Sequence, residues 1–398
     1  MIIKDLSIWK IFDSRGEETV ECEILTEKGV FRASVPSGKS KGKREAVSVD
    51  FARAKKSAAE LKKLLVGREF SSVREFDKAL LDADGTDDKS RLGGNVLLGY
   101  SIAFSRARAS ERDVSLWLLL RREFFPNADD SRRPSIFANL MNGGAHADSG
   151  LDIQEYMLVV RPGKNYADDV ALAVDVYRSL GNTLRKKFKS KVLPLGDESG
   201  YALPLKDNFE PIKLLENEIS ARKLGKKCSI ALDVAASSFF TGKAYKFGGE
   251  TLNAKELCKR YEDYFKRSKY LCSIEDPFAE DDVDGFRMLL PKLGEKWAVG
   301  DDLTTTDAKR IREMAAKRAI NAVIIKPNQI GTVSEACDAL TEAKNLKLHT
   351  IVSHRSGETE DAFIISLARA SSADGVKIGA PAHERMVKFN ELIRVYEE

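Results

Sequence analysis

The sequence predicts an α/β barrel, of the TIM-like kind, preceded by an α+β unit, and three observations predict it. The first third reads as strands followed by helices. The rest alternates short apolar runs with helical segments. Those apolar runs end, one after another, on ionisable residues. An open doubly wound sheet is the alternative for the second part, although no GxGxxG loop supports a dinucleotide fold.

The N-terminal unit is assigned to residues 1–124. Thr19–Leu25 and Val30–Val35 alternate in polarity around a turn at Lys28-Gly29, as antiparallel strands do. Residues 45–66 and 72–82 carry helical spacing, and 95–122 read as a long apolar-faced helix. A Pro-, Asn-, Asp- and Arg-rich stretch at 125–133 is read as a linker, leaving 134–398 for the barrel. Two units are also what the length of 398 residues asks for, since one core rarely serves so long a chain.

Composition excludes several classes. With 43% apolar and 32% charged residues the chain is of globular type, and no apolar run approaches the ~18 residues of a membrane span. The opening MIIKDLSIWKIFD lacks the layout of a secretory signal, so a cytoplasmic location is expected. The five cysteines are scattered, with no CxxC pair, and are expected to be free thiols; with only four histidines a zinc site is not indicated. A net charge of +4 gives no nucleic-acid footprint, yet leaves room for a local pocket that takes an anion.

The chemistry is read from what closes each apolar run. Asp233 follows Ile230–Leu232, Glu275-Asp276 follow Leu271–Ile274, and Asp301-Asp302 follow Trp297–Gly300. Lys326 follows Val323–Ile325, His354-Arg355 follow Ile351–Ser353, and Lys377 follows Gly375-Val376. In a parallel barrel such strand ends converge on one face. Any one acid there is as readily a helix N-cap, but chance caps would be mostly Ser, Thr and Asn and would not supply two lysines. Gathered carboxylates make a hard oxygen cage suited to Mg²⁺ or Mn²⁺. Lysines beside such a cation are expected to have lowered pKa values, so that a neutral amine can take a proton from carbon next to a carboxylate.

At these residues the sequence resembles the enolase family, over nearly the whole chain. Asp13-Ser14-Arg15-Gly16 and Ser37-Gly38-Lys39-Ser40-Lys41-Gly42 look like the family's opening strand and active-site loop. Asn142-Gly143-Gly144-Ala145-His146, Gln154-Glu155-Tyr156 and Gly196-Asp197-Glu198 look like its substrate and acid segments. Ile274-Glu275-Asp276-Pro277, Gly300-Asp301-Asp302, Lys326-Pro327-Asn328-Gln329, Ser353–Asp361 and Lys377-Ile378-Gly379-Ala380-Pro381 follow in family order.

The resemblance implies a phosphopyruvate hydratase that interconverts 2-phosphoglycerate and phosphoenolpyruvate with two Mg²⁺ ions. By resemblance, Asp233, Glu275 and Asp301 hold the first ion and Ser40 helps hold the second. Lys326 is the base and Glu198 the acid, with Glu155 beside it. His146, His354, Arg355, Ser356 and Lys377 line the substrate. A homodimer or higher homo-oligomer, formed through the first unit, is implied in the same way. The chain departs from the family pattern in places. Lys39 and Lys41 add charge to the loop, which would either steer an anionic substrate or weaken the second cation site. Ser199 stands for a usual glycine, and Glu17-Glu18 for Asn-Pro. A sugar-acid lyase of the same superfamily would not need His354-Arg355-Ser356 or the Ser40 loop. A non-catalytic scaffold would be expected to lose some of the active-site charges, and none is lost.

Overall fold

The computed structural model describes residues 1–39 and 42–397. The chain opens with β1 (Asp5–Phe12), β2 (Glu18–Thr26) and β3 (Gly29–Ser34), an antiparallel sheet in the order β1-β2-β3. Its alternation is that of a half-buried sheet: Val20, Cys22 and Ile24 face inward, with Glu21 and Glu23 between them.

Four helices complete this unit: α1 (Phe51–Leu65), α2 (Val73–Asp84), α3 (Gly94–Glu111) and α4 (Leu116–Phe124). Asp50 and Ser72 cap the first two by accepting from Arg53 N and Glu75 N. Helix α3 is buried on nearly every side because it runs between the sheet and the second unit. The sheet comes so close that a Cβ at Gly99 would lie 2.5 Å from Cys22 Sγ.

The second unit is a closed barrel of eight strands. It comprises β4 (Ser135–Asn142), β5 (Glu155–Val160), β6 (Cys228–Asp233), β9 (Leu271–Glu275), β10 (Trp297–Gly300), β11 (Ala322–Ile325), β12 (His349–Ser353) and β13 (Gly375–Ile378). The hairpin strands β7 (Tyr245–Phe247) and β8 (Glu250–Leu252) lie outside it. The helices are α5 (Tyr166–Phe188), α6 (Glu210–Ala221), α7 (Ala254–Arg267), α8 (Val283–Leu293), α9 (Ala308–Ala316), α10 (Pro327–Ile330), α11 (Val333–Asn345), α12 (Phe363–Ser371) and α13 (Met386–Glu397).

Closure rules out the open sheet. The barrel is not wholly parallel, however: β5 runs antiparallel to both β4 and β6. Only a single 3-10 turn, Gly144–His146, separates β4 from β5, too short to return the chain to the far end of the barrel, so β5 must run back.

The two units are pinned at the start of α11. Its Val333 N donates to Ser101 Oγ (3.0 Å) and its Ser334 N to Asp77 Oδ2 (2.8 Å), so side chains of the first unit satisfy a helix end of the second. Burial pushes the Asp77 carboxyl up to about 6. The cysteines are free, all buried except the half-buried Cys272. No described helix is long and apolar enough to cross a membrane.

Candidate active site

The pleat of the barrel builds the site. Phe137, Met157, Val159, Ala231, Val299, Ala322, Ile324 and Ile351 form one compact apolar cluster. Side chains two residues apart on a strand share a face. Two residues beyond Ala231 comes Asp233, beyond Val299 comes Asp301, and beyond Ile324 comes Lys326. The parity that closes the barrel floor therefore aims acids and lysines into its mouth. On β5 the order inverts: Glu155 starts its strand, yet pairs with both Asn142 and Asp233 at the mouth end.

These residues line a cleft with about 410 Å³ of open space, together with His146, Glu198, His354, Arg355, Ser356 and Lys377. Lys377 Nζ sits among three carboxylates, 2.8 Å from Asp233, 3.0 Å from Glu275 and 3.2 Å from Glu155. Lys326 Nζ is ion-paired with Asp301, which also accepts from Gln329 Nε2 at 2.9 Å. Arg355 lies in a bidentate pair with Glu45, at 2.9 and 3.1 Å. The chain can run over that guanidinium only because residue 38 is glycine, where a Cβ would fall 1.7 Å from Arg355 Nη2. Next to it, Lys39 N donates to Ser356 Oγ (2.9 Å), and Lys39 Nζ lies 2.9 Å from Asp197.

Glu198 sits on a loop stitched to β4, since Tyr201 bridges to both Leu195 and Met141. Its Oε2 accepts from Asn139 Nδ2 (3.0 Å) and lies 3.3 Å from His354 Nε2; its Oε1 lies 3.6 Å from His146 Nδ1. His146 Nδ1 is also 3.8 Å from Glu155 Oε1. Ser199, which stands for a usual glycine, is held at φ +63°. A side chain in that region costs about 1 kcal/mol or more, so the Glu198 turn stores strain beside the cleft.

The electrostatics differ from the sequence expectation in one respect. Burial alone would lower both lysines, as expected. Instead Asp301 pulls Lys326 above the usual lysine range, and Asp233, Glu155 and Glu275 pull Lys377 well above it. The carboxylates that neighbour them here outweigh desolvation, so both are ammonium groups. The two facing glutamates split apart, as like charges must. Burial and then the charge of Glu198 push Glu155 well up. Burial would raise Glu198 too, but His354, His146 and Arg385 hold it well down.

The donors suit a hard cation. Asp233 and Glu275 face one another across β6 and β9, and Asp301 lies two residues past Val299, the β10 partner of Glu275. This places three carboxylates at or just past the ends of three neighbouring strands, all oxygen donors. Lys377 and Lys326 now hold them as ion pairs. Among the described residues, the sets already within ligand reach of one another are different ones, sharing only Asp301 with this trio: His146, Glu155 and Glu198, and Asp276, Asp301 and Asp302. Ser40, the residue expected at a second ion, lies outside the described residues, as does Lys41.

Comparison with known proteins agrees with this architecture. A family model described as the enolase N-terminal domain matches residues 3–120, and one described as the enolase C-terminal TIM barrel domain matches 132–398. The chain belongs to the enolase family. Enolase from Elusimicrobium minutum (strain Pei191) is 37% identical over 410 residues, spanning 100% of this chain and 96% of that protein. As an enolase the chain is a lyase, a phosphopyruvate hydratase.

Sequence reasoning missed four residues that shape the enolase cleft: Asn139, Glu45, Gln329 and Arg385. Asn139 shares the inward parity of Phe137 and could have been found from it. Gln329 lies in a recognised segment, and Glu45 at the start of the stretch 45–66 read as helical, where the helix begins only at Phe51; neither carries a signal of its own. Arg385 has none, being a single arginine after an unremarkable His-Glu pair.

Proposed function

We propose that the chain catalyses the Mg²⁺-dependent, reversible dehydration of 2-phospho-D-glycerate to phosphoenolpyruvate, a step of glycolysis and gluconeogenesis. Lys326 removes the carbon-2 proton and Glu198 protonates the departing hydroxyl. The observation that carries this reading is the meeting, in one buried cleft, of two lysines, the Glu155–Glu198 pair and the carboxylates of β6, β9 and β10.

Asp233, Glu275 and Asp301 would hold the first Mg²⁺. When bound, the ion supplies positive charge against the second negative charge that builds on the substrate carboxylate, and it draws carboxylate charge away from the lysines. Lys377 is placed to add to that stabilisation. Arg355 offers the phosphate a planar fork, which Glu45 now fills with its own carboxylate. Hydroxide leaves poorly without a proton, which is the task given to Glu198. Phosphate recognition at Arg355 and Ser356 favours this reading over a sugar-acid substrate.

The test is direct. A coupled assay with 2-phosphoglycerate is expected to give turnover with Mg²⁺, loss of turnover in EDTA and recovery when Mg²⁺ returns, with Mn²⁺ as a partial substitute. Turnover that persists in EDTA, or a preference for a sugar acid, sinks the proposal.

A homodimer or higher homo-oligomer is proposed through the first unit. Strand β1 is a sheet edge that exposes Trp9 and Phe12, at 54% and 63% of their surface. Light scattering at micromolar concentration is expected to return at least twice the chain mass, and a monomer rejects the assignment.

A further inference from the structure

Arg385 is fully buried, and its guanidinium faces main-chain and side-chain atoms of three active-site segments. Nη1 donates to Arg355 O (2.7 Å) and meets His354 Nδ1 (3.0 Å). Nη2 donates to Ser356 O (2.5 Å) and Asp197 O (3.1 Å), and reaches Ser14 Oγ of the first unit at 3.5 Å. Nε lies 2.8 Å from Glu384 Oε1.

A guanidinium donates and never accepts. His354 Nδ1 must therefore be the acceptor in its contact with Arg385, and the proton of the neutral ring must sit on Nε2, 3.3 Å from Glu198 Oε2. An imidazolium would press an N–H against the guanidinium and is disfavoured. The second consequence falls on Glu198. Its Oε2 already accepts from Asn139 Nδ2, and His354 Nε2 lies 3.3 Å from the same oxygen without completing a hydrogen bond. An N–H on Nε2 points positive charge at Oε2 and disfavours a proton there, whereas Oε1 faces His146 Nδ1, whose other neighbour is Glu155.

We propose that Arg385 is a positioning residue which fixes the His354 tautomer, turns the ring N–H to the side of Glu198 Oε2, and so leaves the acid proton to Oε1. This rests on the reading of Glu198 as the acid. In the step it serves, the Oε1–H bond breaks and an O–H bond forms on the leaving hydroxyl, the carbon–oxygen bond to that hydroxyl breaks as the electron pair left at carbon 2 closes the carbon–carbon double bond, water departs, and Glu198 is left ionised with Oε2 still accepting from Asn139. The charged groups facing His354 are Glu198, Arg385 and Glu358. Burial and Arg385 outweigh the two carboxylates and lower the ring to about 4, in keeping with the geometry.

Two measurements test this on the Mg²⁺-loaded protein. The chain has four histidines, so ¹⁵N-histidine NMR is tractable, with His354 assigned by loss of its signals in His354→Gln. At neutral pH, His354 is expected to be neutral with its proton on Nε2. A proton on Nδ1, or an imidazolium, overturns the proposal without any Arg385 variant having to fold. The second measurement compares steps in Arg385→Lys. Turnover is expected to fall about a hundredfold, as for misplaced catalytic groups, while solvent exchange of the substrate carbon-2 hydrogen stays within about threefold of wild type. Equal loss of both, or loss of neither, overturns it. If the unmodified protein does not dehydrate 2-phosphoglycerate, the functional reading fails, and the tautomer measurement still reports on Arg385.

Discussion

Lys326→Ala is expected to abolish formation of the ultraviolet-absorbing enol ester, with a loss of about 10⁴-fold or more, at the upper end of what a positioned proton acceptor contributes. Solvent exchange of the carbon-2 hydrogen should vanish with it, because both need the same proton transfer. The fold should survive: the Lys326 side chain is one ion-pair partner at the cleft, and Asp301 keeps its hydrogen bond from Gln329. Mg²⁺ binding, followed by calorimetry, should be retained or strengthened, since the ammonium now held by Asp301 competes with a cation for that carboxylate. Mg²⁺ binding unchanged alongside near-normal turnover would mean that some other group is the base. Lost Mg²⁺ binding would mean that the lysine is needed to assemble the cation site.

Much of this site could be read in the sequence, for a physical reason. A barrel strand exposes one parity to the interior, so an apolar run ending on an acid or a lysine already states which way that last side chain points. Asp233, Glu275, Asp301, Lys326 and Lys377 were found in this way, and the structure brings all of them to one mouth. Glu155 escapes the rule because β5 runs backwards, which no periodicity shows; only the resemblance pointed to it. The lysine protonation could not be read either. It depends on whether a carboxylate or a cation is the nearest neighbour, and Asp301 lies 25 residues away from Lys326 in sequence. Arg385 was out of reach for a related reason, since half of its partners are carbonyl oxygens, which every residue has. The strain at Ser199 lies between these cases: the sequence marked a serine where glycine is usual, and the structure gave the positive φ that glycine would have relieved.

Glu198→Gln is expected to separate the two halves of the reaction. The amide matches the carboxyl in shape but has no acidic proton, so loss of hydroxide should slow by about 10³-fold. Carbon-2 exchange should persist within about tenfold, because Lys326 and the carboxylates of β6, β9 and β10 are untouched. The substitution also removes a buried negative charge facing Glu155. That charge is one cause of the raised Glu155 pKa, so Glu155 should become easier to ionise in the variant. Glu155 could then replace the missing acid only poorly, since it would hold its proton less readily at neutral pH. Lowering the pH should therefore recover part of the lost turnover if Glu155 can deliver a proton, and none if Glu198 alone reaches the leaving oxygen. Measuring dehydration and exchange side by side decides the assignment. If exchange collapses together with turnover, Glu198 acts before the carbon–hydrogen bond breaks, and the division of labour between Lys326 and Glu198 is wrong.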